Sequence, residues 1–299
     1  MTDTRQIRGE LRTAESMARH SSWRVGGPAK QYFTPADVED LSEFLCSLAP
    51  DEPLLWVGLG SNLLVRDGGW SGTVIATHKV LGGLRRPDSK NDPGLVHTGA
   101  GVACAKLARQ CVKWGLGPAE FFAGIPGTVG GALAMNAGAF GGETWDHVEK
   151  VEVIDRSGRV SERLREEFEV GYREVTAPDE AWFLSAYLRF EPRANVQQDD
   201  IRNLLARRKA SQPIGEPSCG SVFRNPPKDH AARLIEASGL KGHRIGGAWV
   251  SEKHANFIIT DRSASARDIE VLIDHVRERV VEDHGTELIP EVRIVGDAP

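Results

Sequence analysis

The sequence predicts an α+β protein of two domains, and three observations carry that reading. The first is length: the chain has 299 residues, and one domain takes roughly 150. A chain of this size buries about 70% or more of its unfolded surface and needs no disulfide or structural metal. The second is glycine. Of 32 glycines, 19 fall between Leu54 and Gly142, alternating with Val, Leu, Ile, Phe and Trp. A flexible linker would lack those large apolar residues, so these glycines belong to ordered structure where the backbone turns tightly or approaches something closely. The third is a change of composition near Asn195, where the glycine-rich mixed region gives way to charged helices and short strands. The boundary placed there divides the chain into residues 20–194 and 195–299. No internal repeat is present.

The elements follow in order. A helix is expected over 34–48, with Thr34 as N-cap, Pro35 at the first helical position and Asp37 favouring the dipole. Val38, Leu41, Phe44, Leu45 and Leu48 share its apolar face. Short apolar runs at 54–57, 63–65, 73–76 and 95–98 read as strands. A second helix, 102–114, ends at Gly115 as a left-handed cap. The runs 148–155 and 159–164 flank Ser157-Gly158 as a hairpin, and 181–191 reads as a strand closed by Pro192. Then come a charged helix at 197–211, another at 229–238 ended by Gly239, and a long one at 264–284. This last opens on Ser265 and Asp268 as a capping box and stops at Gly285. Strand-like runs 256–260 and 288–295 flank it.

Composition excludes several function classes. With 37 basic against 42 acidic residues the net charge is −5, and no Lys/Arg block marks a nucleic-acid surface. The first 22 residues have no apolar core for a signal peptide. Residues 121–142 run uncharged for 22 positions, but seven glycines, Pro126 and Asn136 conflict with a membrane-spanning helix. Cys46, Cys104, Cys111 and Cys219 are too scattered for a disulfide framework. The nine histidines include no HExxH and no ligand-spaced acidic cluster, so no metal is expected. A cytoplasmic protein without membrane insertion is the expectation, and protein partners stay unknown.

Two glycine-rich loops are the candidate binding elements. One is Val57-Gly58-Leu59-Gly60-Ser61-Asn62-Leu63. It begins like a dinucleotide fingerprint, but Leu63 replaces the third glycine and no helix pattern follows, so a Rossmann fold is rejected. The other runs Gly124-Ile125-Pro126-Gly127-Thr128-Val129-Gly130-Gly131-Ala132 and continues to Asn136-Ala137-Gly138. Consecutive uncovered backbone N–H groups form anion-binding concavities suited to a pyrophosphate. The plainer reading, tight turns with nothing bound, serves for one such loop. Two in one domain favour a large phosphate-bearing ligand.

Three segments, Ser22-Trp23-Arg24-Val25-Gly26-Gly27-Pro28-Ala29, 58–65 and 124–142, resemble the flavin-binding segments of the UDP-N-acetylenolpyruvoylglucosamine reductases of peptidoglycan synthesis. The resemblance continues through Gln212-Pro213, the run Pro217-Ser218-Cys219-Gly220-Ser221-Val222-Phe223-Arg224-Asn225-Pro226, Gly239-Leu240-Lys241-Gly242, Val250-Ser251, His254-Ala255-Asn256-Phe257 and Pro290-Glu291-Val292-Arg293. It spans about residues 20–295. It implies a two-part FAD-binding domain of the p-cresol methylhydroxylase type and a smaller C-terminal α+β substrate-binding domain. It also implies non-covalent FAD, NADPH as hydride donor, and a UDP-sugar substrate. NADPH would reduce FAD, flavin N5 would pass hydride to C3 of the enolpyruvyl group, and a proton would reach C2, giving UDP-N-acetylmuramate.

By the same resemblance Ser221 is the proton donor, Glu291 and Arg173 stabilise the carbanion or enol, Arg173 pairs with the substrate carboxylate, and Asn225 contacts substrate. The cofactor residues would be Val57, Gly58, Gly60, Ser61, Asn62, Leu63, Gly124, Ile125, Pro126, Gly127, Thr128, Gly130, Gly131, Ala132, Asn136 and Gly138. Without the motif, Ser221 would be a turn residue, Glu291 an edge-strand residue facing solvent, and Arg173 an ordinary surface arginine. The chain departs from the family pattern at Val175 in place of a serine, at Ser211 in place of a lysine (Lys209 lies nearby), and at Phe140 in place of a tyrosine. It resembles the shorter, type II form. Two rivals remain: another flavoenzyme of the same superfamily, which should lack the Gly220–Asn225 and Glu291 constellation, and a non-catalytic UDP-sugar- or flavin-binding derivative, against which Arg173, Ser221 and Glu291 stand together.

Overall fold

A computed structural model describes residues 7–78, 80–193 and 197–298 of the chain. The boundary expected near Asn195 falls on 194–196, outside the described residues. The chain packs as two compact units, each assembled from separate stretches. The first comprises Met1–Arg12, Gln31–Gly58 and Thr73–Ala206; the second comprises Thr13–Lys30, Leu59–Gly72 and Arg207–Pro299. Neither unit follows a single cut in the sequence.

In the first unit, helix α1 is Val38–Ser47, and its N-cap is Asp37, whose carboxylate accepts the Asp40 N–H at 2.9 Å. Thr34, expected as the cap, instead ends the strand Pro28–Thr34. Proline disfavours helical geometry in the residue before it, so Pro35 holds Thr34 extended and moves the helix start downstream. Leu41, Phe44 and Leu45 still face inward, joining Phe33, Ile75 and Leu184 in one core. Strand Leu54–Val57 pairs in parallel with residues 73–76 of Trp70–Ala76.

An antiparallel sheet orders Val160–Leu164, Val148–Asp155, Ala181–Arg189, Leu95–Gly99 and Leu84–Arg85 side by side. The hairpin at Ser157-Gly158 forms as the sequence predicts, with Gly158 at φ +77°. The strand expected over 181–191 stops at Arg189. Glu191–Pro192 forms a separate two-residue pairing with Leu116–Gly117, an end position that a residue lacking an N–H tolerates. Helix α2, Cys104–Lys113, buries Leu107, Ala108 and Cys111 in the core shared with Val151, Ala186 and Leu188. It is followed by Gly115 at φ +69°. A short helix that the sequence does not suggest, α3 (Val129–Ala134), occupies the glycine-rich segment. Helix α4, Gln198–Ser211, matches the charged helix expected there and buries Ile201; the division between units falls within it.

The second unit is built around helix α6, Ala266–His284, preceded by helix α5, Ala231–Ala237. The α6 cap is the box read from sequence: Ser265 accepts from Asp268 N, the Asp268 side chain accepts from Ser265 N, and Gly285 is left-handed at φ +63°. Asp67 adds two bonds of 2.9 Å to the N–H groups of Ala266 and Arg267, so a carboxylate sits at the positive end of the helix. Ile269, Leu272, Ile273, Val276 and Val280 are buried with Trp23, Val25, Leu64, Val222 and Phe223. Arg244–Ile245, Ala248–Val250 and Ile258–Thr260 form an antiparallel sheet, while Arg293–Val295 pairs in parallel with Leu63–Val65. The strand-like runs 256–260 and 288–295 therefore shrink to three residues each. Asn256, Ile289 and Glu291, left outside them, bond to the loop at 222–224 instead. No helix among the described residues is long and apolar enough to cross a membrane.

Candidate functional site

The candidate residues form two sets, one in each unit. In the first unit Tyr172 and Arg173 make the tip of a hairpin whose last pair is Gly171 and Glu174. Arg173 is left-handed at φ +58°, and so are two other non-glycine residues of this unit, Asn136 (φ +44°) and Phe140 (φ +53°). That geometry costs an L-residue roughly 1–2 kcal/mol, and such strain concentrates where a particular side chain is needed. The Arg173 guanidinium donates to the carbonyls of Asn136 at 3.1 Å and Gly138 at 3.3 Å. It lies 3.8 Å from the Glu143 carboxylate and stacks 4.8 Å from the Tyr172 ring. This is no ordinary surface arginine: its side chain is 16% exposed.

In the second unit Ser221 lies on a loop fixed by backbone bonds on both sides. Val222 N–H donates to the Asn256 carbonyl at 2.9 Å, Glu291 N–H to the Val222 carbonyl at 2.7 Å, and Arg224 N–H to the Ile289 carbonyl at 2.9 Å. The Asn256 side chain, buried, bonds both the N–H and the carbonyl of Phe223 at 2.9 and 2.8 Å. Gly220, just before Ser221, takes a left-handed φ of +74°. The structure thus brings the backbones of Ser221 and Glu291 together through Val222. Asn256 stands in the motif without a role that its sequence reveals. A lone amide within Ala255-Asn256-Phe257-Ile258 is the available signal, since a buried polar group is held there only by its hydrogen bonds.

The two expected phosphate cradles fare unevenly. Among the described residues no acceptor takes the N–H groups of Leu59, Gly60 and Ser61, nor those of Gly127 and Thr128. Gly60 is left-handed at φ +60°, and a Cβ there would stand 1.8 Å from the His20 carbonyl oxygen. A Cβ on Gly58 would meet Thr128 Oγ1 at 2.5 Å, so the start of the first loop touches the second. Each of these bare, donor-rich turns, within its own unit, suits a phosphate group.

Other positions have different work. The N–H groups of Val129 and Gly130 go to the carbonyls of Val102 and Ala100, those of Gly131 and Ala132 go to Thr128 as the N-cap of α3, and that of Ile125 goes to Phe122. Pro126 has none, and a Cβ on Gly130 would press Ala100 Cβ at 2.9 Å. Gly124 and Gly138 are required by close neighbours, with Phe140 Cε2 and the Gly142 carbonyl each 2.5 Å from a built Cβ. Asn136 bonds Glu143, the Gly171 carbonyl and the Trp145 N–H through its side chain. In the first loop the Val57 carbonyl accepts from Thr77, Leu63 opens a buried strand, and the Asn62 amide donates to the Glu291 carbonyl at 3.0 Å. Asn225 Oδ1 accepts the Ala231 N–H at 3.1 Å and so caps α5. Cys219 is buried with its Sγ 3.6 Å from the carbonyls of Gly60 and Leu63; burial pushes its thiol up to about 11, which keeps it protonated.

Comparison with known proteins matches residues 29–162 to an FAD binding domain and residues 212–295 to the C-terminal domain of UDP-N-acetylenolpyruvoylglucosamine reductase. Fold and site thus define a flavoprotein with an FAD-binding domain and a dedicated C-terminal domain. The UDP-N-acetylenolpyruvoylglucosamine reductase of Alkalilimnicola ehrlichii is 58% identical over 97% of this chain and 96% of its own. That of Methylococcus capsulatus is 56% identical over 97% and 95%. The crystal structure of the enzyme from Thermus caldophilus superposes with a TM-score of 0.77 at 33% identity, covering 97% of this chain and 99% of that one. The chain belongs to the UDP-N-acetylenolpyruvoylglucosamine reductase family.

Proposed function

We propose that the chain reduces the enolpyruvyl ether of UDP-N-acetylglucosamine to UDP-N-acetylmuramate for peptidoglycan synthesis, with NADPH as reductant and FAD as non-covalent cofactor. The observation that carries this reading is full-length membership of the family, at 58% identity over 97% of the chain. Residues 20–194 serve as the flavin-binding part and 195–299 as the substrate-binding part. The reaction belongs to the cytoplasm, where UDP-sugars and NADPH are made.

The bare N–H groups of Gly127 and Thr128 in the first unit would hold a phosphate of FAD. When bound, FAD carries two electrons from the nicotinamide to the enolpyruvyl double bond. Arg173 takes the substrate carboxylate in its fork and draws charge toward it. Ser221 gives its hydroxyl proton to C2 once negative charge has built there. Glu291 stabilises the carbanion or enol with Arg173; a carboxyl group does this as a hydrogen-bond donor, while it holds a proton. Asn256 and Asn62 keep the Ser221 and Glu291 backbones in place.

The purified protein should be yellow, bleach with NADPH and recover its colour rapidly only with enolpyruvyl-UDP-N-acetylglucosamine. Reaction in turn with the two substrates gives parallel double-reciprocal lines. Gly60→Ala should retain far less flavin, because the added carbon meets the His20 carbonyl. A protein colourless after FAD supplementation, or one that the enolpyruvyl sugar fails to reoxidise, ends the reading.

A further inference from the structure

We propose that Glu143, anchored by Asn136, is the resident counter-ion of Arg173: it balances the guanidinium charge in the free enzyme and yields the arginine to the incoming substrate carboxylate. The inference rests on the reading of Arg173 as the residue that takes that carboxylate. Glu143 is the first charge after the 22 uncharged residues 121–142. One of its carboxylate oxygens accepts the Asn136 amide at 2.9 Å, and the other faces Arg173 Nη1 at 3.8 Å.

Asn136 ties this arrangement to the hairpin that carries the arginine. It is buried and left-handed, its amide also donates to the Gly171 carbonyl at 3.1 Å, and its own carbonyl accepts from Arg173. The carbonyls of Asn136 and Gly138 hold the fork by hydrogen bonds of ordinary length. The Glu143 contact differs from them: 3.8 Å is an ion pair without a close hydrogen bond. The carboxylate therefore sets charge rather than geometry. It is 37% exposed, so water can take over its solvation when a ligand carboxylate claims the arginine.

A resident carboxylate competes with the substrate carboxylate, and the consequence has a definite sign. Glu143→Gln keeps a partner for the Asn136 amide but removes the charge. The KM for the enolpyruvyl sugar and the inhibition constant for acetate should both fall, by roughly two- to fivefold, the range of a part-exposed ion pair. Reduction of the flavin by NADPH, the melting temperature and the flavin content should stay at wild-type values. Glu143→Asp, which keeps the charge one methylene further back, should lower both constants by less. Unchanged or raised constants in Glu143→Gln, or loss of its flavin, would assign Glu143 a structural role and overturn the inference. Arg173→Lys separates this from the reading beneath it: if that variant leaves KM and acetate inhibition untouched, the role given to Arg173 fails first.

Discussion

The turn carrying Arg173 and the loop carrying Ser221 solve the same problem in opposite ways. Each must hold a polar side chain at a sharp bend. At Ser221 the left-handed residue is Gly220, for which that geometry is open, and backbone bonds to Asn256 and to residues 289–291 do the holding. At Arg173 the arginine itself is left-handed, as are Asn136 and Phe140, and side-chain bonds do the holding. One loop is relaxed and held by main-chain bonds together with the Asn256 amide; the other stores strain and is held by the Asn136 amide and by the arginine's own bonds to main-chain carbonyls. The difference teaches where each is vulnerable: the serine loop to loss of its clamp, the arginine turn to changes in backbone preference.

The largest expected effect is on chemistry. Ser221→Ala should leave flavin binding and reduction by NADPH unchanged, because the bonds that fix the loop come from Val222, Phe223 and Arg224, and should slow reoxidation by the enolpyruvyl sugar by about 10²–10⁴-fold. Stopped-flow absorbance separates the two steps, and slow reduction with normal reoxidation would remove Ser221 from the proton transfer. Next, Asn256→Ala strands the Phe223 N–H and carbonyl, and should cost about 1–3 kcal/mol of stability while impairing the same substrate step. If urea unfolding showed the loss but reoxidation stayed normal, the clamp would be structural only.

A smaller effect isolates the strain. Arg173→Ala and Arg173→Gly lose the same hydrogen bonds, but only glycine relieves the left-handed backbone, so the glycine variant should be the more stable by about 1 kcal/mol. Equal stabilities would erase the contrast between the two sites. The smallest effect is on pH. Burial holds the His254 imidazole below its usual range, and its Nδ1 accepts the Asn256 N–H at 3.3 Å. The folded state therefore binds fewer protons than the unfolded state, and stability falls as pH drops below the unfolded value of about 6.5. The stability difference between wild type and His254→Gln should shrink between pH 7 and pH 5. A difference constant across that range would show that His254 does not titrate with folding.

Element identity is largely legible in the sequence because it is local. The Ser265 and Asp268 box, Gly285 and the stripe from Ile269 to Val280 each depend on neighbours a turn away. Thr34 misleads because two local preferences compete, and the extended bias before Pro35 prevails over the capping one. Motif residues Ser221, Glu291 and Arg173 are legible as types in a pattern, but the partners that fix them are not. Asn256 reaches Phe223 across 33 positions and Asn62 reaches Glu291 across 229, and no periodicity encodes such pairs. The glycine-rich segment reads as a continuous cradle, yet α3 and the carbonyls of Val102 and Ala100 take up several of its N–H groups. Glycine content reports that a backbone is bare, and it does not report whose carbonyl has come close.

The parallel pairing of Leu63–Val65 with Arg293–Val295 carries a consequence for biosynthesis. A ribosome that has completed residues 13–30 and 59–72 has made the smaller part of a unit whose remainder, from residue 207 on, is still more than a hundred residues from being translated. Until residues 293–295 emerge, the Leu63–Val65 edge has no native strand beside it and Trp23 no native burial. The nascent chain must carry that exposed apolar edge through most of its synthesis, a state prone to aggregation. Closing so long a loop is also intrinsically slow. Cells making this protein faster than it can finish should accumulate it first as insoluble chain, and slowing translation should recover the soluble form.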